Sequence, residues 1–349
     1  MESIIKSTVS RKLVYVFIAL LFVFVFLLSV SIGSVGISLV DTLRILVNKT
    51  AASGDVADIP GNIVVIINLV RIPRVLLSAL VGAALSVAGV AMQGLLRNPL
   101  ADSSTLGVSS GGALGAVITI AFGIRLPLFP SLSITLMSIL FSFLTLIVIL
   151  GFSRTISPNL STNTIILTGV IVSMFAGSII SFIITLSNER MNSIIYWTMG
   201  SFSGRGWDYV RLMLPFFIAG TLGLLRYSRE LNAFALGEEK AEYIGVDTER
   251  VKLIILILVS ILVGASVSVC GSITFVGLVV PHITRMLIGP NHRHLMPLSI
   301  LIGAILLMLT DLISRIALSP VELPIGVVTS FIGSIIFINI FYAQRQRRE

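Results

Sequence analysis

Long stretches without a charged residue alternate with short charged segments along this chain. The most apolar of these stretches cover residues 13–40, 75–96, 103–124, 126–153, 155–188, 212–225, 253–284, 294–310 and 323–344. An α-helix needs about 20 apolar residues to cross the hydrocarbon core of a bilayer, so most stretches predict one transmembrane helix each. The stretch 253–284 is too long for one helix, and Cys270-Gly271-Ser272 near its middle predicts a break there.

Basic residues at the two ends of the chain set the expected number of helices. Residues 1–12 and residues 345–349 each contain three Lys or Arg residues. Because such residues are retained on the cytoplasmic side, both ends are predicted to be cytoplasmic, which requires an even number of spans. Splitting 253–284 gives ten spans, whereas leaving out the short stretch 212–225 gives eight, and we predict ten. The predicted fold is an all-α polytopic membrane protein with a single transmembrane domain over residues 1–349.

The composition agrees with this class and excludes others. Hydrophobic residues make up 56% of the 349 residues, while the 24 basic and 16 acidic residues together make up 11%. A soluble globular protein has about 25% charged residues, so soluble enzymes and disordered chains are excluded. The net charge of +8 is spread along the chain, which is typical of positive-inside loops and not of a nucleic-acid surface. The single cysteine, Cys270, excludes a disulfide framework and a thiolate metal cluster.

A short internal repeat indicates two related halves. Residues 80–89 and residues 262–271 are identical at seven of ten positions. Small apolar residues also match by chance, which is the alternative explanation. The two copies lie in spans 2 and 7, five spans apart, so they would run in opposite directions. Inverted repeats are typical of transporters, and we predict one that relates spans 2–5 to spans 7–10.

The segment 226–252 is the one strongly charged loop, with 11 charged residues among 27. Its pattern predicts a helix over 230–236 that stops at Gly237, and a second helix over 238–244 closed by Gly245. Asp247 is predicted to cap the helix of span 7. The apolar residues Leu236, Ala241 and Ile244 favour a cytoplasmic docking surface over a merely solvated loop.

The source of energy can be narrowed from the motifs. The chain has no G-x-x-x-x-G-K-[ST] sequence, so it does not bind ATP through a P-loop. Gradient-driven carriers usually place ionisable groups at mid-membrane depth, whereas Asp311 and His282 lie near predicted span ends. This favours a partner ATPase over a gradient-driven carrier. An intramembrane enzyme is the third alternative, because residues 107–111 match G-x-S-x-G around Ser109, but no histidine lies in the neighbouring spans.

Several motifs, in one order along residues 60–340, resemble a known family. They are Arg71-Ile-Pro-Arg74, Met92-Gln93-Gly94, Asn98-Pro99-Leu100-Ala101, Leu106-Gly107-Val108-Ser109-Ser110-Gly111, Ala235-Leu236-Gly237-Glu238, Ile244-Gly245-Val246, Phe275-Val276-Gly277-Leu278-Val279-Val280-Pro281-His282-Ile283-Thr284-Arg285, Asp311 with Arg315, and Glu322-Leu323-Pro324-Ile325-Gly326-Val327-Val328-Thr329. Together they resemble the permease subunits of the iron–siderophore, haem and vitamin B12 ABC importers, which are type II importers.

The resemblance implies partners and a location. A second permease copy or paralogue, two cytoplasmic ABC ATPases and one extracytoplasmic substrate-binding protein are expected, in a prokaryotic cell membrane. The chain itself is expected to be a transport subunit and not an enzyme, with no catalytic residue, no metal site and no bound cofactor, since ATP and magnesium belong to the partner. A ferric siderophore is the first candidate substrate, with cobalamin, haem and molybdate as alternatives.

The resemblance also assigns roles to residues. Contact with the ATPase is expected at Leu236, Gly237, Glu238, Glu239, Ala241, Ile244 and Gly245. Docking of the binding protein is expected at Arg71, Arg74 and Arg315, for which snorkelling to lipid phosphates is the alternative. Candidates for the pathway or its gate are Gln93, Asn98, Pro99, Ser109, Pro281 and His282. Pro99 and Pro281 are predicted to lie at corresponding helix ends beside the pathway. An equal alternative is that each proline simply terminates a span.

Overall fold

Helices form nearly all regular structure in the part of the chain described by the computed structural model, which covers residues 2–33, 36–51, 59–102, 106–158 and 160–346. The α-helices are α1 (Glu2–Ser31), α2 (Leu39–Ala51), α3 (Gly61–Val65), α4 (Ile72–Leu96), α5 (Val108–Phe122), α6 (Ser133–Ile156), α7 (Thr162–Leu186), α8 (Met191–Thr198), α9 (Trp207–Arg226), α10 (Ser228–Phe234), α11 (Glu238–Tyr243), α12 (Thr248–Cys270), α13 (Val276–Ile288), α14 (His292–Ile316) and α15 (Ile325–Gln346). A π-helical turn, Ile66–Arg71, joins α3 to α4. The predicted N-terminal segment 1–12 continues into α1, and residues 347–349 of the predicted tail lie outside the described residues.

The all-helical membrane class is confirmed. Among the described residues, seven helical segments are long and apolar enough to cross a membrane: Arg11–Ser31, Gly61–Leu96, Pro130–Ile156, Thr162–Leu186, Trp207–Arg226, Thr248–Cys270 and His292–Ile316. Three shorter apolar helices are Val108–Phe122, Val276–Ile288 and Ile325–Asn339. Each segment overlaps one predicted span, in the predicted order. The number of ten crossings stays a prediction, because these three shorter helices have fewer residues than a bilayer-spanning helix needs.

The break inside residues 253–284 lies where the sequence predicted it. Helix α12 ends at Cys270, and Gly271 has a φ of 79°, a left-handed conformation that favours glycine. Helix α13 starts at Val276 after a short non-helical segment. The predicted helix end at Pro281 is wrong, because Pro281 lies inside α13. Proline cannot donate a hydrogen bond to the carbonyl of residue 277, and α4 packs closely against Gly277 at this place.

Three helices form the centre of the bundle. In the most apolar part of the segment containing α4, 89% of the residues are buried, and the values for α12 and α14 are 72% and 61%. The corresponding values for α1, α6, α7 and α9 are only 22–28%, so these helices have large outward faces. Helix α4 therefore lies at the centre of the bundle, with α14, α12, α13 and α9 packed around it.

Glycines allow α4 to approach its neighbours backbone to backbone. A Cβ atom on Gly82 would overlap the carbonyl of Gly303 in α14, and a Cβ on Gly89 would overlap the backbone of Gly277 in α13. Small residues permit such close packing in membrane helices, where van der Waals contact drives association. The positions of α13 and α14 relative to α4 thus depend on the absence of two side chains.

The packing confirms two related halves. Helix α4 packs on α13 and α14, and its counterpart α12 packs on α5 and α6. Gly82 contacts α14, while Gly264, at the matching position of the repeat, contacts Ser142 of α6. The two central helices run in opposite directions, because Gly94 near the end of α4 lies against Leu231 of α10, while Lys252 near the start of α12 contacts Glu238 of the adjoining α11. The repeat is inverted, with α4–α7 corresponding to α12–α15.

A substitution at Gly89 tests the close contact between α4 and α13. We expect Gly89→Ala to lower the midpoint of thermal unfolding in detergent, because the new methyl group overlaps backbone atoms that cannot rotate away. Gly151→Ala in α6 is the matched control, since a Cβ there meets nothing within 4 Å. Alanine favours a helix by roughly 0.5–1 kcal/mol relative to glycine, so this control should unfold at the same or a higher temperature. Equal midpoints for the two variants would contradict the contact.

Candidate coupling and docking sites

The charged segment 226–252 forms a compact projection at one end of the bundle. Helix α10 follows α9 directly, and Gly237, with a φ of 118°, turns the chain into α11. Gly245, with a φ of 90°, ends that helix, and the Asp247 carboxylate accepts a hydrogen bond from the Arg250 amide at the start of α12. The predicted pair of short helices is confirmed, although α10 begins at Ser228 and ends at Phe234. We call this end of the bundle the α10 end.

Three apolar side chains on this projection are exposed. Leu236, Tyr243 and Ile244 are 60%, 90% and 64% exposed. The prediction that Ala241 belongs to this face is wrong, because Ala241 is fully buried. Tyr243 takes its place, and an aromatic residue among charged neighbours was the sequence signal for it. Glu239, Lys240 and Glu242 are exposed around this face, which we call the apolar tip (Leu236, Tyr243 and Ile244).

Polar side chains attach α11 to α12. Lys252 of α12 is only 1% exposed, and its Nζ atom lies 2.5 Å from Glu238 Oε1 and 3.2 Å from the Leu160 carbonyl oxygen. Thr248 donates a hydrogen bond of 2.6 Å to Glu242. Glu238 was expected to contact a partner, but here it turns inward to a lysine of its own chain.

A second attachment joins α10 to α14. The Asn232 side-chain oxygen accepts a hydrogen bond of 2.9 Å from the His292 amide and lies 2.8 Å from His292 Nδ1. The Asn232 amide group donates to Asn291, whose side chain caps α14. Asn232 thus ties α10 to the first residue of α14 and to its cap.

The pathway candidates fall in two separate places. Gln93 is buried on α4, where it accepts a hydrogen bond of 2.9 Å from Arg285 and donates to the Leu278 carbonyl. A cavity of about 320 Å³ at the α10 end is lined by Gln93, Gly94, Arg97, Pro99, Ala235, Arg285, Pro290 and His292. Asn98, next to it, is exposed and accepts a hydrogen bond from the Leu100 amide.

The other pathway candidates are not among the residues that line this cavity. Ser109 is half-buried in the first turn of α5, which packs against α6, α7 and α12. Pro281 is buried within α13, and His282 beside it is half-buried. The structure thus brings Gln93 and Pro99 together at one cavity, whereas Ser109 lies on α5 and does not line it.

The opposite end of the bundle holds a buried ion cluster of Arg74, Asp311, Arg315 and Glu322. Arg74 donates to Asp311 at 2.9 Å and 3.0 Å through two nitrogens, and a third lies 2.9 Å from Glu322. Arg315 Nε lies 3.1 Å from the other Asp311 oxygen, one helical turn away on α14. Asp311, which is 1% exposed, therefore has a cation on each oxygen.

The same end fixes the end of α1. Arg71, placed by the π-helical turn, donates to the carbonyls of Val30 and Ser31 at 3.0 Å and 2.5 Å. Arg315 donates to the carbonyls of Ser29 and Ile32 at 2.9 Å and 3.0 Å. The last carbonyls of a helix have no partner within the helix, and arginine side chains near a helix end satisfy them. Two arginines thus hold the final turn of α1.

The arginines expected to dock a binding protein are not free on the surface of this chain. Arg71, Arg74 and Arg315 are 5%, 7% and 6% exposed, because carboxylates and helix-end carbonyls of the same chain surround them. The three guanidinium groups are therefore already engaged by groups of this chain. Asp311 and the last carbonyls of α1 account for the burial of these arginines, and direct docking stays a prediction that requires an exchange of partners. Among the described residues, no group of three or more His, Cys, Asp or Glu side chains could hold a metal ion.

Removal of Arg74 tests whether the cluster is structural. We expect Arg74→Met to lower the free energy of unfolding by about 3–5 kcal/mol, the cost of breaking a buried ion pair. The control is Arg211→Met, which removes an exposed partner of Asp208 at 3.4 Å and should change stability by less than about 1 kcal/mol. Chemical unfolding in detergent measures both. If Arg74 serves only a docked partner, the two variants will be equally stable and only capture of the binding protein will fall.

Comparison with known proteins agrees with this architecture. The chain is 46% identical over 317 residues to an uncharacterized ABC transporter permease protein, YvrB, of Bacillus subtilis (strain 168), covering 91% of this chain and 90% of the relative. It is 40% identical over 286 residues to the hemin transport system permease protein HmuU of Yersinia pestis, covering 80% and 84%. A solved inward-facing structure, assigned to the metal-chelate type of ABC transporter, matches with a TM-score of 0.81 at 33% identity, covering 95% of this chain and 99% of that chain. The model of the FecCD transport family matches residues 21–343, and the chain therefore belongs to the FecCD transport family.

Proposed function

We propose that this FecCD-family permease is the membrane-spanning subunit of an ATP-driven importer for a ferric siderophore. A separate ATPase would supply the energy, and the chain would form the path through the cell membrane. The observation that carries the proposal is the apolar tip, which stands on two short helices in a chain whose family match extends over residues 21–343. A merely solvated loop would not expose three large apolar side chains on two short helices that are attached to α12 and α14.

The apolar tip fits the cleft of an ATPase at the cytoplasmic face. Leu236, Tyr243 and Ile244 offer the apolar centre, and Glu239 and Glu242 beside them offer a charged rim. Buried apolar anchors with a polar rim are the common anatomy of protein interfaces. The polar attachments of α10 and α11 to α14 and α12 would carry the motion of the ATPase into the bundle.

A second permease subunit would cover α7. This helix carries no charged residue, and Met174, Phe175 and Phe182 on it are 69%, 68% and 64% exposed. Ser178 and Thr185 are exposed on the same helix. Their hydroxyl groups donate to the Met174 and Ser181 carbonyls of α7 itself, so this face offers a partner helix small satisfied side chains beside large apolar ones, a mixture that suits close helix packing.

The end with the ion cluster would receive the substrate-binding protein. Glu322 is the exposed member of that cluster, with a side chain 37% exposed. A carboxylate of the binding protein could replace Glu322 on Arg74 without disturbing Asp311. This exchange reconciles the buried arginines with the docking role that the family resemblance implies, and such charged contacts mainly set association rate and register.

A gradient-driven carrier is the competing function. It requires an ionisable group that can take up and release an ion, and Asp311 is instead fixed between two arginines. The geometry therefore favours an ATPase partner.

A change at the apolar tip tests the partner. We expect Tyr243→Asp to reduce the amount of ATPase that co-purifies with the permease at least tenfold, because a carboxylate would replace an aromatic anchor that the ATPase buries. Leu128→Asp is the matched control, since Leu128 is 85% exposed in the loop between α5 and α6. Undiminished co-purification of the Tyr243 variant would contradict the docking surface.

Transport in membrane vesicles tests both the energy source and the substrate. We expect vesicles with the binding protein and ATPase to take up an iron-55 siderophore when supplied with ATP, even with an uncoupler present. Excess haem, cobalamin or molybdate should not compete. Uptake that needs the ion gradient but not ATP would indicate a secondary carrier, and competition by one of the three compounds would reassign the substrate.

A further inference from the structure

We propose that Lys252 is the residue that transmits movement of α11 to the start of α7, through its simultaneous contacts with Glu238 and the Leu160 carbonyl. This inference rests on the proposed function, because it assumes that α11 moves with an attached ATPase. It concerns a positioning residue inside the chain, whereas the docking surface itself lies on the apolar tip.

Both contacts are made by one buried ammonium group. Lys252 lies in the second turn of α12 and is 1% exposed, while its Nζ atom contacts Glu238 Oε1 at 2.5 Å and Leu160 O at 3.2 Å. Glu238 is the first residue of α11, and Leu160 lies two residues before α7. One side chain therefore joins α11, α12 and the connection between α6 and α7.

Leu160 has a backbone that depends on such support. Its φ is 50°, a left-handed conformation that non-glycine residues seldom adopt, and its side chain is only 2% exposed. Conformations of this kind persist where the surroundings hold them, and they cluster at switch regions. The bond from Lys252 holds the Leu160 carbonyl in this conformation, immediately before Ser161 caps α7.

The buried ammonium group of Lys252 cannot separate from its partners without a large cost in free energy. The cost of leaving an ammonium group unpaired in the interior is large, so Lys252 keeps a carboxylate when α11 moves. If Glu238 is displaced, Lys252 must shift with it or lose the Leu160 carbonyl, and either event changes the support of the segment before α7.

A simpler role is also consistent with burial: the ion pair could stabilise the fold and transmit nothing. Two variants separate these roles. Lys252→Met removes the ammonium group and leaves Glu238, which is 39% exposed at its side chain and can be solvated. The double variant Lys252→Met with Glu238→Met replaces the ion pair by an apolar pair, and such replacements often preserve stability.

The experiment uses the complete complex of permease, ATPase and binding protein in proteoliposomes. We expect both variants to assemble with the ATPase and to hydrolyse ATP, while substrate transported per ATP hydrolysed falls at least tenfold. Arg250→Met is the charge-matched control, because Arg250 is exposed in the first turn of α12, and its transport per ATP should equal that of the unchanged protein.

The outcomes are distinguishable. If the double variant is stable and regains normal transport per ATP, the ion pair is structural only and the proposal is overturned. If Lys252→Met retains normal transport per ATP, the link is not used, which also overturns it. Failure of the unchanged permease to assemble with any ATPase would instead refute the proposed function, independently of Lys252.

Discussion

The pairing of Asp311 with Arg74 and Arg315 determines how one end of this protein is built. An ionised carboxylate that is 1% exposed in an apolar bundle requires compensating charge, and the two arginines provide it from α4 and from α14 itself. Arg315 then extends to the last carbonyls of α1, and Arg74 to Glu322 before α15. Three helices and a loop are thus placed by one buried negative charge, and removing that charge would leave two buried cations to repel each other.

The two ends of the bundle are connected through α14. Its first residues are satisfied by Asn232 of α10, and its last turns carry Asp311 and Arg315. Between them, Gly303 packs against Gly82 of α4 backbone to backbone. A helix held this closely along its middle moves as a rigid body, since interdigitated backbones cannot slide past each other. Helix α14 is therefore held at three levels, by α10 at its start, by α4 at its middle and by the ion cluster at its end.

Local signals allowed much of the fold to be predicted from sequence. Gly237, Gly245 and Asp247 set the limits of α10–α12 through turn and cap chemistry, and the break after Cys270 follows from glycine and chain length. The burial and the ion-pair partners of individual charged residues could not be predicted in the same way. The partners of Arg74 lie 237 and 248 residues away, so its burial depends on tertiary packing alone. Pro281 was misplaced for a related reason, because a proline is tolerated inside α13 and a helix end was only one of the structures compatible with it.

The kind of contact decides where this chain can change conformation. Glycine contacts along α4 fix α13 and α14 by close packing, for which no alternative arrangement of side chains exists. The projection of α10 and α11 is attached differently, through the few polar side chains Asn232, Glu238 and Glu242. Hydrogen-bonded groups can exchange partners in discrete steps, because each donor and acceptor has more than one geometry that satisfies it. Movement imposed on the apolar tip must therefore be taken up at these polar attachments and at the strained Leu160 beside them, while the glycine-packed centre moves as a unit.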